Sequence, residues 1–150
     1  MPNVTPHITV NNATKAIDFY KKAFGAEEIA RHLTPDGRVM HASIKIGDSQ
    51  VMLNDEFPDW GGCRGPQGGK QPFLLHIQSE NVDKAWDRAV SAGAKITMPL
   101  KDQFWGDRYG QLEDPFGHTW SLGQRVATPS AQEVEQKGAE LFNKMAGVPK

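Results

Sequence analysis

The chain has a single cysteine, Cys63, and that scarcity excludes an internal disulfide and any thiolate-rich zinc site. Cys63 lies in the flexible-looking "GGCRGP" with no basic partner fixed by the sequence, so it is not read as a nucleophile. An excess of either charge is also missing: 17 Lys and Arg stand against 18 Asp and Glu, for a net charge of -1. Scattered charges of both signs leave no electrostatic footprint for nucleic acid or for an anionic membrane. No run approaches the roughly 20 apolar residues needed to span a bilayer, and the opening "MPNVTPHITV" lacks the basic and hydrophobic regions of a signal peptide. The expectation is a cytoplasmic protein whose partner is a small organic molecule, not a nucleic acid and not a membrane.

What the sequence does contain is a repeat. "HITVNNATKAIDFYKKA" (7–23) laid over "HIQSENVDKAWDRAVSA" (76–92) matches at about seven of seventeen positions. In each copy an asparagine, Asn12 or Asn81, is placed to cap a helix. Ala13, Ala16, Ile17, Tyr20 and Ala23 then recur at helical spacing, as do Val82, Ala85, Trp86, Ala89 and Val90. Gly25 and Gly93 supply the stop. A strand precedes each helix. Strand candidates follow at Glu28–Leu33, Arg38–Ile46 and Gln50–Asn54 in the first copy, and at Lys95–Met98, Arg108–Glu113 and Thr119–Gly123 in the second. Both copies therefore read βαβββ.

The modules span about residues 4–55 and 72–124, and the Gly/Pro-rich stretch 56–71 between them reads as a linker and a candidate lid. After Gly123 the repeat ends. Within residues 126–150, Thr128 or Ser130 can cap an amphipathic helix with Val134, Gly138, Leu141, Phe142 and Met145 along one stripe.

Two βαβββ copies, "AIDFYKKAFGAEE", "PDGRVMHASIKIGDSQVML", "FWGDRYGQLEDPFGHTW" and the terminal helix together resemble the vicinal-oxygen-chelate superfamily. That superfamily contains glyoxalase I, bleomycin-resistance proteins and extradiol dioxygenases, and the wording is most similar to its PhnB-like branch. The resemblance implies an α+β fold in which two tandem βαβββ modules form curved sheets around a cleft within one domain, residues 1–125. It also implies a homodimer, because related proteins commonly complete their clefts by pairing or swapping copies.

Strand alternation then sorts the side chains. Ile8 and Val10; Phe73, Leu75 and Ile77; Trp120 and Leu122; and Met40, Ala42, Ile44 and Ile46 form the sets expected beneath the helices. The opposite sets are expected to line the cleft and collect Thr5, His7, His41, Leu74, His76, Thr119 and Ser121, with Val39 also on that side. Metal-dependent members place His or Glu on the first and last strands of each copy. Alignment on the quoted motifs puts Thr5, Leu53, Leu74 and Ser121 at those positions, where aliphatic side chains offer no lone pair and neutral hydroxyls replace imidazole or carboxylate poorly. His7, Asp55 and His76 lie two residues further on, but under pseudo-twofold symmetry equal shifts of about 6 to 7 Å separate the two histidines. No metal and no other cofactor is expected.

In "DPFGHTWSLG", Asp114, Pro115 and Gly117 read as a turn, His118 as a packing residue at a strand start, and Ser121 as a cleft wall without an evident base. Trp105 and Arg108 are placed at the cleft mouth. Arg108 is matched either to an anionic ligand group or to Asp107 or Glu113. Asp55 and Glu56 read as solvated carboxylates. Two functions follow: a protein with a metal-poor cleft that binds a small organic molecule, or a lyase, isomerase or dioxygenase-type enzyme, either metal-free or with an unrecognised divalent site.

Overall fold

A computed structural model describes residues 2–147. Met1 and residues 148–150, at the ends of the expected 1–125 and 126–150 segments, lie outside the described residues. The order of elements is β1 (His7–Thr9), α1 (Ala13–Phe24), β2 (Glu27–Leu33), β3 (Val39–Ile46), β4 (Ser49–Asn54), β5 (Leu74–Gln78), α2 (Val82–Ala92), β6 (Lys95–Asp102), β7 (Asp107–Glu113), β8 (Thr119–Arg125) and α3 (Ala131–Met145). The fold is α+β, two tandem βαβββ modules followed by a helix. Each module forms one four-stranded sheet, in order β1-β4-β3-β2 or β5-β8-β7-β6. The first strand of each module runs parallel to the last, and the other pairings are antiparallel.

The helices form where the pattern calls for them. Asn12 and Asn81 accept from the amides of Lys15 and Lys84, satisfying donors that the first helical turn leaves free. The first helix is held a second time in each module: Asp55 Oδ1 accepts from Ala13 N at 2.7 Å, and Gln124 Oε1 from Val82 N at 3.0 Å. Asp55, expected in solvent, is instead buried, and its other oxygen takes Val39 N–H at 2.7 Å. Pro99 is tolerated in β6 because β6 is an edge strand, and the register slips there between Met98 and Lys101.

Helices α1 and α2 pack on each other, and both sheets lay their apolar faces on this pair. One core results, containing Ile8, Ile44 and Leu53 from the first sheet, Ile17, Tyr20 and Trp86 from the helices, and Leu112, Trp120 and Leu122 from the second sheet. Three polar ties also join the modules. Tyr20 O–H donates to Asp114 Oδ2 at 2.6 Å, His118 Nε2 bonds Thr9 O at 2.8 Å, and Arg88 donates to the carbonyls of Lys21 and Lys22 that end α1. The opening motif of the last hairpin is thus a clasp between modules as well as a turn.

Two alternation readings are corrected. Val39 is buried and Met40 is 53% exposed, the reverse of the expectation. A register shift between His32↔His41 and Leu33↔Val39 leaves Met40 as the extra residue and returns Val39 to the helix side. Phe73, expected under the helices, lies before β5 and is 52% exposed. Helix α3 starts at Ser130, whose hydroxyl accepts from Glu133 N. Only Val134 and Gly138 of its stripe are half-buried, Gly138 beside Phe104, while Leu141, Phe142 and Met145 stay exposed.

Candidate functional site

Because both sheets turn their apolar sides to the same helix pair, their polar sides face away from the shared core. The polar sides of the two modules therefore do not face each other within one chain, and the modules meet through their helices instead. His7 and His41 belong to the outward side of the first sheet and Thr5 precedes β1, whereas Leu74, His76, Thr119 and Ser121 belong to the outward side of the second.

Two expected cleft residues are elsewhere. Leu53 is fully buried in the core, paired with Ile8 and Ala42 on the helix side of the sheet. Arg108 shares the face of Gly110 and Leu112 and is tied to Asp83 of α2 and Asp102 of β6 at 3.0 and 3.2 Å, not to Asp107 or Glu113. These two hydrogen-bonded carboxylates hold its guanidinium pKa above the usual value.

The second sheet carries the best-built group. Parallel register sets His76 opposite Ser121. His76 Nδ1 lies 2.8 Å from Ser121 Oγ, and Nε2 lies 2.9 Å from Gln78 Oε1. With the amide oxygen of Gln78 as acceptor, Nε2 carries the proton and Nδ1 accepts from the fully buried Ser121 hydroxyl. A serine with a base beside it is thus present, although sequence reading found none. Tyr109 stacks on His76 with ring centres 5.8 Å apart and an interplanar angle of 20°. Trp105 meets Tyr109 edge-on at 5.5 Å and is anchored by its Nε1–H to Asp107 at 3.0 Å. Beneath the stack is Gly123, where a Cβ would stand 2.9 Å from His76 Cε1 and 3.5 Å from Tyr109 Cδ2. The glycine is there for this close approach. Gln111 was not singled out from the sequence, and Tyr109 was placed only near the cleft mouth with its neighbours in "FWGDRYG". Alternation in "DRYGQLE" places Tyr109 and Gln111 on one face, and that signal could have found them.

A groove of about 720 Å³ runs between the modules. It is lined by Phe24, Ile46, Val51, Leu75, Ile77 and Leu122, with His76 and Gln78 on its rim. It reaches from the helix side of the sheets to His76 and Gln78 of the second sheet.

The residues at the metal-bearing positions of the resembling family do not fit a divalent ion. Leu53 is a core residue, Leu74 has no lone pair, and Ser121 is committed to His76. Among the described residues no three His, Cys, Asp or Glu side chains are grouped so as to hold a metal. Among the same residues no helix is long and apolar enough to cross a membrane.

Repeat, topology and motifs converge on one class: the chain belongs to the Glyoxalase/Bleomycin resistance protein/Dioxygenase superfamily, whose profile matches residues 4–122. It is similar to protein Mb0911c of Mycobacterium bovis, with 44% identity over 137 residues that cover 89% of this chain and 90% of that protein. Protein YjdN of Escherichia coli is 26% identical over 142 residues, covering 79% and 92%. Among solved structures, PA1353 from Pseudomonas aeruginosa superposes with a TM-score of 0.68 at 21% identity, covering 85% of this chain and 100% of that one. At that identity the likeness shows the fold.

Proposed function

We propose that this chain is a metal-independent binder of a small, planar organic molecule, held against the His76–Tyr109–Trp105 face of the second sheet. The observation that carries the reading is the preorganised imidazole. Two side-chain hydrogen bonds, a stacked tyrosine and a glycine floor fix one ring on a surface otherwise lined by Gln78 and Gln111. Such convergence of aromatic faces with a few amide and hydroxyl groups is what small-molecule sites use.

The binding unit in this proposal is a homodimer. The outward faces of the two sheets do not meet in one chain, so a second copy is needed to set His7 and His41 opposite His76. The outer side of β1 is met within the chain by His118 and Gly65, whereas edge strand β5 keeps one side unpaired and borders the apolar groove between modules. A second copy covers that edge and the groove. Sedimentation equilibrium should give a mass of two chains, and a monomer at tens of micromolar would remove this part of the proposal.

The binding reading is tested by a thermal-shift screen of small aromatic compounds on wild type, His76→Ala and Tyr109→Ala. Compounds that stabilise wild type should lose at least about tenfold in affinity for either variant, a difference of about 1.4 kcal/mol. His76→Ala itself should lower stability by no more than about 3 kcal/mol, because an exposed ring is removed and the cost is that of leaving the buried Ser121 hydroxyl without its partner. Equal binding by the variants, or unfolding of His76→Ala, overturns the assignment of this face. A second reading, proton-transfer catalysis with His76 as base, is favoured by the His76–Ser121 bond. Turnover of a bound compound that disappears in His76→Ala distinguishes it.

A further inference from the structure

The outward side of the first sheet gathers imidazoles and keeps carboxylates away. His32 is paired with His41 across β2 and β3. The rings of His41 and His32 are stacked with centres 6.3 Å apart, and His7 meets His41 edge-on at 5.7 Å. His41 is half-buried between two exposed histidines.

The surroundings can be read off the register. β4 brings only Gln50, Met52 and Asn54 to this side, and β1 brings Thr9 besides His7. β3 adds Ser43 and Lys45, and β2 adds Ala30 and Glu27, the latter paired with Lys45. Glu28 is occupied by Arg31 and Lys21 and pairs with Ile44, on the helix side of the sheet. The only carboxylate in the grid is therefore Glu27, beside a lysine and two cross-strand rows from His41.

We propose that His7, His32 and His41 form a receptor for a small tetrahedral oxyanion, taken up together with protons and released as the imidazoles become neutral. His7 Nε2–H donates to Asn54 Oδ1 at 2.6 Å, which leaves Nδ1 without a hydrogen bond among the described residues. Ser43 Oγ, 3.5 Å from His41 Nε2, adds a hydroxyl donor. Without an anion the three rings oppose one another's charge. Burial first, and then His7 and His32, lower the pKa of His41 below its ordinary value. A dianion among them reverses this, since its field favours the imidazolium form of His41. Binding must then tighten as pH falls. The inference does not rest on the aromatic face of the second sheet or on dimerisation, since all three histidines come from one sheet of one chain.

Sulfate is the probe, because it stays a dianion across the range, and the readout is histidine-resolved NMR of the full chain. The resonances of His7, His32 and His41 should move together on titration, with affinity at least about tenfold higher at about pH 5.5 than at about pH 7.5. His118, committed to Thr9 O, should not move and serves as the internal reference. His41→Gln should weaken binding at the lower pH at least fivefold, and His32→Gln, at an exposed position that the fold does not need, should do the same. Equal affinity at both pH values, equal shifts at His118, or unaltered binding by His32→Gln overturns the proposal. Failure here leaves the thermal-shift test of the aromatic face untouched, and the reverse also holds.

Discussion

Replacing Asp114 with alanine should destabilise the fold by about 3 kcal/mol or more, because each buried donor left unsatisfied costs about 1 to 3 kcal/mol. Asp114 is 3% exposed, and its two oxygens accept four bonds. Oδ1 takes the amides of Phe116 and His118 at 2.9 and 3.0 Å, and Oδ2 takes Tyr20 O–H and Trp120 Nε1–H at 2.6 and 2.9 Å. Alanine leaves all four donors without this acceptor, three of them on residues of the core or its edge. Burial, followed by the neighbouring Asp114 charge, raises the Tyr20 pKa well above its ordinary value, so Tyr20 remains a donor. The conservative change is informative too. Asp114→Asn with its oxygen toward the two amides presents N–H to Trp120 Nε1–H, a donor that cannot turn round, whereas Tyr20 can rotate its hydroxyl to accept. Asparagine should therefore recover part of the loss but not all of it. Urea unfolding followed by tryptophan fluorescence checks both, and a cost below about 1 kcal/mol for alanine would show that the clasp contributes little.

The same residue illustrates what was readable from the chain. "EDPFGH" announces a turn, and Gly117 has the expected positive φ of 92°. The partner Tyr20, 94 positions earlier, was visible only as a helix-face residue. Local signals carried the helices well: both asparagine caps, the apolar stripes and the glycine stops are as the spacing predicts. Errors arose where a longer-range inference overrode a local one. In "QVMLN", alternation joins Leu53 to Val51 on the apolar side, and in "DRYGQLE" it joins Arg108 to Leu112. Positions carried over from the resembling family placed both residues in the cleft instead, and the local pattern was the sounder guide. The bulge that exchanges Val39 and Met40 left no trace in composition, because either residue is acceptable on a buried face. The His76–Ser121 pair depends on parallel register between strands 45 residues apart, which no local pattern specifies.

Gly123→Ala should dismantle the candidate site while leaving the fold largely standing. Gly123 sits in β8 between Leu122 of the core and the open face, and the new methyl group would be placed 2.9 Å from the His76 ring. Real side chains do not approach so closely. The ring is the movable partner, since it is exposed and fastened only by Ser121, Gln78 and the Tyr109 stack. Shifting it breaks the two hydrogen bonds and parts the stack, at an overpacking cost of about 1 to 3 kcal/mol. In wild type, long-range proton–nitrogen correlation should show His76 as a single tautomer with the proton on Nε2. In the variant that pattern should average between the two nitrogens, and compounds found on wild type should bind at least about tenfold more weakly. A small-to-large change elsewhere on an open sheet face would alter neither readout. A Gly123→Ala protein that keeps the Nε2–H tautomer and full affinity would mean that the imidazole is not held by its surroundings. The preorganisation on which the binding proposal rests would then be absent.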